Sequence, residues 1–135
     1  MKANQIVIEQ KSKFGFEKTV QILTENAEKR EWKVPFVHDL QQSLAKSGKD
    51  VRPVQVIEIC KPEFSGQMLE KNHERIVSVM MPCRISVYEK EDGKAYVALM
   101  NTSAMSAGMP PAVTEAMQGA SDETFEIVKS VIGPF

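Results

Sequence analysis

Few of the residues that announce a chemistry are present. The chain of 135 residues has two cysteines, two histidines and one tryptophan. Cys60 and Cys83 stand too far apart for a Cys-x-x-Cys redox pair, and two cysteines alone match no zinc-ligand pattern. His38 and His73 have no metal-ligand spacing to each other or to either cysteine. The seven glycines are dispersed and form no phosphate-cradling motif. Charge is balanced too, with seventeen basic and eighteen acidic residues interspersed and a net charge of −1. Without a basic stripe or a polybasic segment, nucleic acid and anionic membrane surfaces are excluded as expected partners. No apolar run approaches the ~20 residues that cross a bilayer. The patch Ile6-Val7-Ile8 is too short for a signal-peptide core. The expectation is a cytoplasmic protein whose thiols are free.

The remaining composition, 42% hydrophobic and 26% charged, is that of a soluble globular domain. Its length gives one domain, residues 1–135, large enough to bury a core without disulfide or metal staples. There is no repeat, low-complexity tract or linker to divide it.

Periodicity then orders the chain. "NQIVIEQ" suits a first strand. Phe16, Val20, Leu23 and Ala27 recur at helical spacing and predict an amphipathic helix over about residues 16–30. Trp32, Val34 and Phe36 alternate as a short strand, which Pro35 confines to an edge or a bulge. Asp39 offers an N-cap and Gly48 a stop for a brief helix. "RPVQVIEIC" carries aliphatics on both faces and predicts a central strand, followed by a helix with Pro62 in its first turn. "RIVSVMM" predicts another buried strand. Asp92-Gly93 then joins two alternating arms, Arg84 onward and up to Met100, in a hairpin. "NTSAMSAGMPPA" reads as a loop, and about residues 112–131 as a final helix broken near Gly119 into two. The fold class is α+β: a two-layer helix-on-sheet sandwich with a mixed or antiparallel sheet and a late β-hairpin.

Three stretches carry a family resemblance. "FGFEKTVQIL" looks like the opening "sf-x-x-Tv-x-x-l" of the domain of unknown function 302 family. "VIEICKP" resembles its "vleiCnP", with Lys61 where asparagine is common, and "MMPCRISVYEKEDGKAYV" is similar to its "lPCriaVye-dGkvyv". The resemblance spans about residues 12–130. It implies a small α+β domain of TATA-binding-protein-like type and a homodimer, and it brings no established reaction. A fold analogy to a DNA-binding protein is no argument for DNA binding, because function resides in sites.

The chemistry-bearing candidates cluster at the cysteine-proline signatures. Cys60 precedes Pro62 by two residues, and Cys83 lies between Pro82 and Arg84. Cations beside a thiol lower its pKa, and Lys61 and Arg84 are adjacent in sequence. Alternation along a strand nevertheless puts Arg84 and Cys83 on opposite faces. A helix starting at Pro62 would aim its N-terminus at the Cys60 region. Glu58, in an otherwise apolar strand, reads either as a carboxylate beside Cys60 or as a residue of the open face. Thiols with thioethers select copper(I), which makes Cys60, Cys83, Met105 and Met109 weak metal candidates. The bland reading is that both cysteines pack as small hydrophobes in a dry core, and it is the favoured one. A triad of either thiol with His38 and Asp39 is disfavoured, since adjacent His and Asp side chains rarely orient one another.

Three functions follow. One is a small binding or sensing module holding a small-molecule ligand or soft metal near Cys60, Pro62, Cys83, Arg84 and Glu58. The others are a thiol-dependent enzyme or redox protein, and an interaction domain without a small-molecule site. Nothing in the sequence names a cofactor.

Overall fold

A computed structural model describes residues 6–133. Eleven of its segments are regular: β1 (Val7–Lys11), α1 (Phe16–Lys29), β2 (Lys33–Asp39), α2 (Leu40–Ala45), β3 (Val54–Cys60), α3 (Pro62–Leu69), a 3₁₀ segment (His73–Met80), β4 (Cys83–Glu89), β5 (Ala95–Met100), α4 (Thr102–Met105) and α5 (Pro111–Val128). The five strands form one sheet in the order β1-β5-β4-β3-β2, and every neighbouring pair is antiparallel. The architecture is therefore α+β with an antiparallel, unclosed sheet, as the sequence predicts. The first two residues of the predicted strand "NQIVIEQ" lie outside the described residues.

Alternation decides which side of the sheet meets the helices. Ile57 and Ile59 of β3, Ile85 and Val87 of β4, and Val97 of β5 are fully buried against Leu23 and Ala27 of α1 and against Ile127 and Val128 of α5. Burial of a side chain of this kind contributes about 1.5–3 kcal/mol, so this one layer dominates stability. The α1 stripe is as predicted at Leu23 and Ala27, while Phe16 and Val20 pack at its margin. Among the described residues, α1 and α5 pack on this one face, and the opposite face is left without them. Val7, Phe36 and Met100 are exposed there.

Four expectations are corrected. "RIVSVMM" is no strand, because most of it lies in the 3₁₀ segment His73–Met80. Both edges of β3 and of β4 are already paired, so no strand edge is open beside it. Its three-residue period instead turns Val77 inward and leaves Ile76 and Val79 exposed. The strand with aliphatics on both faces, β3, lies second from an edge, and β4 takes the centre. The residues from Asn101 contain a helical turn, α4, capped by the Asn101 side chain, which accepts from Ala104 N at 3.3 Å.

The fourth correction concerns Gly119. The final helix runs unbroken from Pro111 to Val128, so Gly119 is no cap. A Cβ at this position would lie 2.5 Å from Cε1 of Phe64. Glycine is needed there because the Phe64 ring of α3 presses on the backbone of α5.

The proline-bearing strand β2 does lie at an edge, with a register shift between Lys33 and Phe36. The shift changes the phase of the strand: Val34 and Val37 pack on the core, while Phe36 is exposed. Asp92-Gly93 makes the predicted turn, with Gly93 at φ 75° and the Asp92 carboxylate accepting from Lys94 N at 2.9 Å.

Candidate functional site

Two strand ends and three helical segments meet at one corner of the molecule. β3 ends at Cys60 and β4 begins at Cys83, and the antiparallel register pairs Ile59 with Cys83. The two cysteines are therefore brought close by the sheet itself. Cys83 shares the inner face with Ile85 and Val87, and it follows a cis Met81–Pro82 bond. Cys60 ends its strand just before α3, and its Sγ lies 3.8 Å from the Ser65 hydroxyl. Both thiols are free and half-buried.

Both thiols border open space. Two adjoining cavities of about 280 and 190 Å³ share Met80, Pro82, Cys83, Thr102 and Met117. The larger is bounded by β3, α3, α5 and the end of the 3₁₀ segment, and Cys60, Trp32, Phe64 and Leu69 are among its walls. The smaller continues past Cys83 towards Leu99, Met100 and Met105. Cys83 therefore stands on the common wall of a two-lobed, mostly apolar space. Cys83 packs against the core cluster, and both thiols also border this space.

Electrostatics at the corner work against a thiolate. Burial, and then the nearby Cys60, push the Cys83 thiol from its ordinary value of 9.0 up to about 11. Lys61 is not available to oppose this. Its Nζ is nearly buried, 2.7 Å from Oε1 of Glu123, and also donates to the carbonyl of Arg30 at 3.0 Å. The same Glu123 oxygen accepts from the Trp32 indole at 2.9 Å. Burial works against ionising Glu123, but the Lys61 and Trp32 donors override it and hold the carboxyl below the ordinary range. Lys61 thus ties the end of β3 to α5 instead of polarising a thiol.

The other candidates are distributed as follows. Pro62 opens α3 and lines neither cavity. Arg84 is exposed and borders only the smaller lobe, its register partner being Glu58. Glu58 belongs to the uncovered sheet face, where its Oε2 meets Nε2 of His38 at 2.8 Å. Asp39 caps α2 by accepting from Gln42 N at 3.0 Å. His38 and Asp39 are therefore both engaged away from the thiols, and no triad forms. Met105 borders the smaller lobe beside Cys83, whereas Met109 borders neither and packs against the cluster around Met68 and Val113. Among the described residues no three His, Cys, Asp or Glu side chains are grouped to hold a metal ion.

Sequence reasoning missed Trp32, Phe64, Met68 and the Lys61–Glu123 pair. The glycine at 119 is the one signal that bears on them, since a glycine inside a helical pattern marks a close approach.

The model of a family described as "Domain of unknown function DUF302" matches residues 8–131. A crystal structure of an uncharacterized conserved DUF302 protein from Bacillus stearothermophilus is similar with a TM-score of 0.83 at 19% identity, over 94% of this chain and 98% of that one. That likeness shows the fold. No curated protein matches.

Proposed function

The chain belongs to the domain of unknown function DUF302 family, and we propose that it is a binding module for a small, mainly apolar ligand. The observation that carries this reading is the two-lobed cavity with Cys83 on its shared wall. Binding sites for small molecules are concave and mostly apolar, with a few polar groups that set orientation. Here those groups are the Cys60 and Cys83 thiols and the Ser65 and Thr102 hydroxyls.

A thiol enzyme is the weaker reading. Burial pushes the Cys83 thiol up to about 11, and Lys61, the cation next to Cys60 in sequence, is held by Glu123, so neither offers the acidic thiol such chemistry uses. Two free thiols support the cytoplasmic placement expected from the sequence.

Calorimetric titration with 1-naphthol at two temperatures tests the reading. Saturable binding with a negative heat-capacity change is expected. Ser65→Phe, which fills the larger lobe beside Cys60, should abolish it while the circular dichroism spectrum is retained. Absence of binding by the wild type, or equal binding by the variant, would refute the proposal.

A further inference from the structure

The larger lobe is unusual in its sulfur. Cys60, Cys83, Met68, Met80, Met81 and Met117 all border it. No aspartate, glutamate or histidine does, and the one lysine on its wall is held by Glu123. The hydroxyls of Ser65 and Thr102 are the remaining polar side chains there, and Thr102 already donates to the carbonyl of Met117 at 3.2 Å. Hard divalent cations require carboxylate or carbonyl oxygens, and zinc prefers thiolate with imidazole or further thiolates. Thiolate with thioether is the donor set of monovalent copper.

The two thiols meet on one cavity wall because β3 ends at Cys60, just before the turn into α3, beside the start of β4 at Cys83. Because Ile59 pairs with Cys83, Cys60 is one residue from a position directly across from the second thiol. The thioethers arrive from three separate elements: Met68 from α3, Met80 from the 3₁₀ segment and Met117 from α5. Separate elements converging on a thiol pair supply more than two soft donors without any short sequence motif, which is why spacing gives no metal signature.

We propose that this thiol-and-thioether wall binds one cuprous ion, with Cys60 and Cys83 as thiolate ligands and Met117 or Met80 completing the shell. The inference rests on reading the cavity as a binding site, and it goes beyond that reading in naming a metal. On binding, one Cu(I) replaces two thiol protons, which leave to solvent, and no electron is transferred.

The test uses the full-length reduced protein titrated anaerobically with Cu(I) against the chromogenic chelator bicinchoninate. The wild type should withhold one equivalent. Cys60→Ser and Cys83→Ser should each weaken retention by at least about 100-fold, and the size-conserving Met117→Leu by about 10-fold. X-ray absorption of the loaded protein should show sulfur alone around copper. Failure of the wild type to withhold copper, retention by Cys60→Ser equal to the wild type, or a nitrogen or oxygen shell would each overturn the proposal. Circular dichroism separates loss of ligand from loss of fold in the variants. If copper is not withheld while 1-naphthol still binds, the metal site falls and the apolar binding reading stands. If neither binds, both fall.

Discussion

At neutral pH the Cys83 thiol keeps its proton, and this has a cost at high pH. The folded state raises its pKa from 9.0 to about 11, so the native protein binds that proton more tightly than the unfolded chain does. The resulting stabilisation is fully present below the unfolded value near 9.0. It is lost as pH rises towards the folded value of about 11. The amount is on the order of 2 kcal/mol. Urea unfolding of the wild type and of Cys83→Ala at about pH 8 and about pH 10.5 checks this. The wild type should lose more stability than the variant over that interval, and parallel losses would contradict the assignment. Arg84 shows why adjacency in sequence was a poor guide here. It follows Cys83 directly, yet pleating gives it a partner on the other face, Glu58. The effect that dominates the thiol is burial, which depends on residues from α3 and α5 that no local motif contains.

At the scale of elements, α3 and α5 are locked together by a missing side chain. Alanine is favoured over glycine in a helix by about 1 kcal/mol. At Gly119 that gain is opposed by a Cβ 2.5 Å from the Phe64 ring, which is itself held 5.9 Å from Trp32. Overpacking of this kind costs about 1–3 kcal/mol. Gly119→Ala should therefore lower stability by roughly 1 kcal/mol in chemical denaturation, and Gly119→Ala in a Phe64→Ala background should not. A stabilised single variant would sink the account. The elements that periodicity found, α1, the edge strand β2 and the hairpin at Asp92-Gly93, are those whose signals are local. The 3₁₀ segment is hidden from periodicity because Arg75–Met81 has strand-like residues, while the paired edges of β3 and β4 decide that no strand can join there.

At the scale of the whole molecule, α1 and α5 cover one side of the sheet and leave the other without them among the described residues. Its middle row runs His38, Val56, Ser86, Ala98 and Glu9 across the five strands, between a row holding Glu58 and Arg84 and a row holding the stacked Tyr88 and Tyr96. A small-residue centre ringed by aromatic and charged side chains is a surface that a second copy of the chain can meet with both apolar and polar contacts. We therefore expect the homodimer implied by the family resemblance to form across this face. Sedimentation velocity should give a dimer for the wild type and a monomer for Ala98→Arg, and a wild type that stays monomeric at high concentration would contradict it. The two-layer architecture was legible in the sequence because each layer has its own period. The cavity was not, since its walls come from segments between Trp32 and Ala120 that meet only after folding. One of those walls has an optical consequence. Trp32 is the single indole of the chain, and it is buried on the cavity wall with its N–H held by Glu123. All tryptophan emission from the molecule thus originates at the candidate site, and the protein carries a built-in, label-free reporter of whatever enters it.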